Sequence, residues 1–176
     1  MTRVTGAVAI AVRRVSDQPS TVWIGLGANL GERADTLRLA LTAINAIQDT
    51  CVQRVSSLYR SAPVDAGGPD YLNAVAELRT TLEPQALLEA LQTIELSAGR
   101  ERPYRNAPRT LDLDIIFWGN EAINTATLTV PHPRLWERAF VLLPLAELAP
   151  ERVPASALQA VQNQAIECHA APGWHI

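Results

Sequence analysis

Apolar residues recur along this chain with two periods, one of two residues and one of three to four, and the alternation between them marks out its elements. The run Thr21-Val22-Trp23-Ile24-Gly25-Leu26-Gly27 is rich in β-formers and stopped by glycines, which predicts a first strand. Leu37, Leu41, Ile44 and Ile47, extended backward by Ala34, recur at helical spacing and predict a helix. Residues 51–59, with Val52, Val55 and Leu58 among polar neighbours, predict a second strand, and residues 63–70, with Gly67-Gly68-Pro69, a loop. The period returns to two over residues 71–79: Leu72, Ala74, Ala76 and Leu78 face one way, Tyr71, Asn73, Val75 and Glu77 the other. Pro84 sits where a second helix would begin, Leu87, Leu88, Leu91 and Ile94 form its stripe, and Gly99 can end it. A fourth strand carries Asp112 and Asp114, and residues 135–148 and 155–164 read as shorter helices separated by Pro150 and Pro154.

The order strand, helix, strand, strand, helix, strand predicts an α+β protein with a ferredoxin-like βαββαβ antiparallel sheet, helices packed on one face and C-terminal helical additions. The opposite sheet face is then open to ligands. A chain of 176 residues suffices for one core. Residues 1–20 read as an N-terminal extension ending in a polar linker at 16–20, and residues 21–176 as a single domain.

Charge and composition narrow the function. The formal net charge of −3 argues against a partner held by bulk electrostatics, so no nucleic acid is expected. The seven apolar residues from Gly6 to Val12 cannot span a bilayer, so no membrane association is expected. Cys51 and Cys168 have no Cys-x-x-Cys spacing, which fits free thiols and a cytoplasmic location.

The richest chemistry lies in Pro108-Arg109-Thr110-Leu111-Asp112-Leu113-Asp114-Ile115-Ile116-Phe117-Trp118. On a strand, Asp112 and Asp114 share one face while Leu111, Leu113 and Ile115 share the other, with the carboxylates about 7 Å apart at the usual rise per residue. Two such charges repel unless a cation lies between them, and a hard divalent ion such as Mg²⁺ has the right chemistry. Alternating Leu and Asp is equally the pattern of a strand with one face in water. Four arginines precede the pair, Arg100, Arg102, Arg105 and Arg109, in a loop broken by Pro103 and Pro108. They read either as a solvated charged loop or as a phosphate clamp. His132, Arg134 and Arg138 make a second basic patch after Val130-Pro131-His132-Pro133. No Walker loop and no Gly-x-Ser-x-Gly elbow occurs; the glycines at 25, 27 and 31 are a near miss to a dinucleotide fingerprint, and the run Gly27-Ala28-Asn29-Leu30-Gly31 reads as a strand-to-helix turn.

The segment Ala107-Pro108-Arg109-Thr110-Leu111-Asp112-Leu113-Asp114-Ile115-Ile116 resembles the signature of the 6-hydroxymethyl-7,8-dihydropterin pyrophosphokinase family. The likeness extends through Gly27-Ala28-Asn29-Leu30-Gly31, Ser57-Leu58-Tyr59-Arg60-Ser61-Ala62-Pro63, Pro69-Asp70-Tyr71-Leu72-Asn73-Ala74, Leu128-Thr129-Val130-Pro131-His132 and Phe140-Val141-Leu142-Leu143-Pro144-Leu145. The resemblance implies transfer of pyrophosphate from ATP, the co-substrate, to the pterin hydroxymethyl oxygen, with release of AMP. It implies two Mg²⁺ ions on Asp112 and Asp114, with Arg102 and Arg109 also catalytic and in contact with ATP. His132 and Arg138 would bear on phosphates too, and Gln92, Glu95, Ile115 and Thr129 match ATP-binding positions. Tyr71 and Phe140 would lie against the pterin ring and Asn73 would bind its edge, with backbone groups around Ser61, Ala62 and Val64 completing the pterin site. The chain departs from the family pattern at Ala28, Asn106, Thr127 and Pro133. Two other classes share the pattern: a metal-dependent nucleotidyltransferase, which would release pyrophosphate, and a noncatalytic ligand-sensing module, which would need neither aspartate. An RNA-binding sheet would need more exposed aromatics than a chain with 5% supplies.

Overall fold

The structure, a computed structural model, describes residues 15–63, 68–99 and 110–176. Two long strands form its spine, β1 (Val15–Ala28) and β4 (Tyr71–Leu82), paired antiparallel from Ser20↔Thr80 to Ala28↔Leu72. β1 starts before the expected position, because residues 16–20, read as a linker, belong to the strand. β4 runs on to Leu82 and offers backbone partners that do not depend on apolar side chains.

β5 (Asp112–Trp118) pairs with the other edge of β1. The expected second strand is two, β2 (Thr50–Val55) and β3 (Leu58–Ser61), both on β4. Ser56 separates them and satisfies the ladder itself: its N–H donates to Val75 O at 2.9 Å and its hydroxyl accepts from Val75 N at 3.0 Å. Two short strands, β6 (Ile123–Asn124) and β7 (Thr129–Val130), form a separate hairpin.

The helices α1 (Arg33–Asn45) and α2 (Pro84–Ser97) form where the periodicity placed them, with Pro84 in the first turn of α2, although α1 ends two residues before Ile47, the last position of its expected stripe. Just beyond α2, Gly99 takes a φ of +81°, the left-handed conformation that ends a helix. Leu37, Leu41 and Ile44 of α1 and Leu87 and Leu91 of α2 bury against Val22, Ile24, Leu26, Leu78 and Leu113 of the sheet.

The second face is not open throughout. α3 (Ala139–Leu148) covers half of it, with Leu142 and Leu145 packed on Trp23, Val75, Ile116 and Phe117. A register shift opposite Trp23/Ile24 lets the unbroken run Ile115-Ile116-Phe117-Trp118 serve both cores: Ile115 and Trp118 enter one, Ile116 and Phe117 the other.

The expected helix at 135–148 is broken. Leu135–Glu137 is a 3-10 turn, and Arg138, with extended φ of −124° and ψ of 108°, separates it from α3. α4 (Ala155–Ala160) stops short of 164, and the chain continues into a strand that was not expected, β8 (Ile166–Ala170), paired with β3. Its side chains are mostly exposed, so it joins the sheet through backbone hydrogen bonds and leaves little hydrophobic signal. The resulting sheet order is β5-β1-β4-β3-β8. Among the described residues no helix is long and apolar enough to cross a membrane.

Candidate active site

Register decides what stands beside the aspartates. On β1, Gly25 pairs with Asp114 on one side and Val75 on the other, and Gly27 pairs with Asp112 and Asn73. Directly paired residues share a face, so two glycines separate the β5 carboxylates from the β4 side chains. Both glycines lie inside β1, which runs one residue past Gly27 to Ala28 before the chain turns into α1. Together they form a floor without side chains. A β-carbon at Gly27 would come within 3.2 Å of Asn73 Oδ1.

Above this floor is a cleft of about 300 Å³ with two chemically different ends. Asp112 and Asp114 stand at one, together with His132 and Arg138. The Asp114 side chain is 41% exposed, and His132 Nε2 lies 3.8 Å from Asp114 Oδ2. His132 is tied by its own N–H to Ile116 O at 3.0 Å, which fixes the β7–α3 connection against β5. Its Nδ1 accepts from Arg134 N at 3.2 Å, a bond that assigns the ring proton to Nε2, facing Asp114. Burial holds the imidazole below its ordinary pKa of 6.5, outweighing the pull of Asp114, and the Arg138 and Arg134 charges push the same way as burial. With Nδ1 accepting from the backbone, the ring presents its Nε2–H toward Asp114.

Tyr71, Asn73, Ser61 and Ala62 line the other end, closed by Phe140 at the start of α3. Asn73 is buried and donates from Nδ2 to Ser61 Oγ at 2.8 Å, which orients its amide edge. The Arg138 guanidinium lies 5.5 Å from the centre of the Phe140 ring, so one short segment presents a cation to one end and an aromatic ring to the other.

Nine candidates from the sequence thus converge on the cleft: Ser61, Ala62, Tyr71, Asn73, Asp112, Asp114, His132, Arg138 and Phe140. Four do not line it. Gln92 is exposed on α2, Thr129 is exposed on β7, and Ile115 is buried in the core on the helix-covered face. Glu95 is buried on α2 and accepts from Leu113 N at 2.9 Å, so its carboxylate holds the peptide between the two aspartates. Val64, Arg102 and Arg109 lie outside the described residues, as do the other loop positions Arg100, Arg105 and Asn106. Sequence reasoning missed Gln164 and Glu137, which also line the cleft. Glu137 carried no distinguishing signal, and Gln164 sits in a polar turn of unremarkable composition.

Fold and cleft together define an α+β protein whose sheet carries a two-ended small-molecule site, acidic and cationic at one end, aromatic and amide-bearing at the other. The chain belongs to the 7,8-dihydro-6-hydroxymethylpterin-pyrophosphokinase (HPPK) family, whose model matches residues 23–150. It is 42% identical over 159 residues to the 2-amino-4-hydroxy-6-hydroxymethyldihydropteridine pyrophosphokinase of Synechocystis, covering 87% of this chain and 82% of that protein. The enzyme of the same name from Pseudomonas aeruginosa is 47% identical over 135 residues, 76% of this chain and 83% of that one. Among solved structures, an HPPK-DHPS triple mutant of Plasmodium falciparum superposes with a TM-score of 0.59 at 13% identity, covering 76% of this chain and 40% of that longer chain.

Proposed function

We infer that this protein transfers pyrophosphate from ATP to the hydroxymethyl oxygen of 6-hydroxymethyl-7,8-dihydropterin, giving AMP and the pterin diphosphate, a step of folate biosynthesis. The observation that carries the reading is the meeting of Asp112 and Asp114 with Tyr71, Asn73 and Phe140 across the Gly25 and Gly27 floor. Neither half alone would specify two substrates.

The carboxylates suit Mg²⁺. They offer oxygen ligands only, and among the described residues no group of three or more His, Cys, Asp and Glu is arranged to hold an ion by itself. That leaves most of an octahedral sphere to phosphate oxygens and water, the usual arrangement for this ion. Asp112 and Asp114 would hold two ions, which supply charge neutralisation and alignment of the triphosphate. Arg138 and the His132 Nε2–H stand where they can donate to phosphate oxygens, and the resemblance assigns Arg102 and Arg109, outside the described residues, to the same phosphates. Because phosphoryl-type transfer depends mainly on positioning and charge stabilisation, the site needs no strong general base. Gln92 and Thr129, exposed on α2 and β7, are assigned to the ATP side beyond the cleft itself, whereas the side chains of Glu95 and Ile115 are buried, which leaves them backbone contact with ATP at most.

At the other end, Tyr71 and Phe140 flank the planar ring and the Asn73 amide discriminates its edge, with backbone groups at Ser61 and Ala62; the resemblance adds Val64, outside the described residues. The strand order β5-β1-β4 with β2 and β3 on the far side of β4 supports a ferredoxin-like core, to which α3, α4 and β8 are additions. Residues 21–176 are read as one catalytic domain. Cys51 and Cys168 as free thiols favour a reducing, cytoplasmic setting.

The test is the nucleotide product. With Mg²⁺, ATP and 6-hydroxymethyl-7,8-dihydropterin the expected product is AMP. Formation of ADP, release of free pyrophosphate with a nucleotidylated pterin, or no turnover would each overturn the assignment.

A further inference from the structure

Arg138 and Phe140 stand at the junction between a 3-10 turn and α3, a place where the backbone lacks its own support. Arg138 is the cap residue of α3, and its side chain has donors only, so it cannot accept from the first N–H groups of its helix. Another side chain does so. Gln164 Oε1 accepts from Ala139 N at 2.9 Å, and Gln164 Nε2 donates to Glu137 O at 2.7 Å. Those two peptide groups lie immediately on either side of Arg138, so one amide grips both.

The same short segment reaches the opposite wall of the cleft. Gln164 N donates to Val161 O at 3.0 Å, which fixes the turn after α4, and Val161 is buried against the α3 core. The next residue accepts from Ala62 N through Ala165 O at 3.3 Å, and Ile166 pairs with Ser61 at the start of β8. Ser61 in turn orients Asn73. Gln164 lies past residue 150, where the family match ends.

We propose that Gln164 is a positioning residue for the transfer reaction: its amide fixes the backbone on both sides of Arg138 and, through Ala165 and Ile166, sets the spacing between the Phe140 wall and the Ser61–Ala62 wall. The inference rests on the reading of the cleft as the ATP and pterin site. Gln164 lines the cleft, but both of its amide hydrogen bonds go to backbone, at Ala139 N and Glu137 O, so its side chain is committed to the residues it holds.

Gln164→Met keeps the volume and removes both hydrogen bonds, while Gln164→Glu keeps the acceptor for Ala139 N and loses the donor to Glu137 O. For Gln164→Met the pterin KM should rise about five- to tenfold, the equivalent of losing one or two neutral hydrogen bonds, with a smaller change in kcat. Gln164→Glu, which sets a carboxylate oxygen against Glu137 O, should raise the pterin KM at least as much, and amide exchange at Ala139 should quicken in Gln164→Met. A residue that merely stabilised the fold would lower Tm and leave the pterin KM of the folded enzyme at its wild-type value. A wild-type pterin KM in Gln164→Met overturns the proposal, and if that variant does not fold, an unchanged pterin KM in Gln164→Glu does so. A wild-type protein that forms no AMP overturns instead the reading of the cleft on which the proposal rests.

Discussion

At Gly27 the side chain's absence is what the neighbouring strands require, since any β-carbon would stand 3.2 Å from Asn73 Oδ1, on the floor between the carboxylates and the amide. Gly27→Val should therefore raise the pterin KM about tenfold or more, the scale of discrimination by a few misplaced methyl groups. Valine is a good strand residue, but Asn73 must give way at 3.2 Å, so a modest fall in Tm should accompany the KM change, and a large Tm loss with normal KM would contradict the account. For Asp112 and Asp114 the prediction concerns chemistry alone. Replacing either by alanine should cut kcat/KM by roughly a thousandfold, about 4 kcal/mol of lost charge stabilisation, while circular dichroism and Tm stay near wild type. Unfolding of these variants would instead favour a structural role for the pair. The alternation of Leu and Asp made their shared face legible in advance, whereas the tautomer of His132 was not, because it depends on a bond from Arg134 N.

The elements show how packing corrects periodicity. β5 is an edge strand, and the peptide between its two aspartates would present an unpaired N–H at that edge without Glu95, whose buried carboxylate accepts from Leu113 N. Glu95→Ala should lose about 1–3 kcal/mol in chemical denaturation, the cost of stranding a buried donor. α3 is apolar around most of its circumference, so its sequence could not say which half of the sheet it would cover. Its contact through Leu142, fully buried among Trp23, Val75 and Phe117, predicts a loss of about 2–5 kcal/mol for Leu142→Ala, read by the denaturation midpoint at constant m. The break at Ser56 and the strand β8 were illegible for one shared reason. A hydroxyl standing in for a ladder bond, and an edge strand with exposed side chains, are both held by backbone hydrogen bonds that leave no hydrophobic period.

For the whole molecule, the last residues close the structure onto its beginning. Trp174 is buried in the core beneath α1, its indole N–H donates to Ser56 O at 2.9 Å, and its carbonyl accepts from Arg38 Nε at 2.8 Å. The tail thus braces the β2–β3 break and α1 together. Local pattern alone determined the α+β class, the two amphipathic helices, the strand bearing Asp112 and Asp114, and the shared face of Tyr71 and Asn73, because each follows from side-chain periodicity within one element. Only the tertiary structure decided that β1 would lay glycines between those two strands, that α3 would leave half the face uncovered, and that Gln164 would grip the backbone around Arg138. Those arrangements arise from strand register and from hydrogen bonds between residues far apart in the chain, and neither leaves a trace in the order of apolar and polar residues.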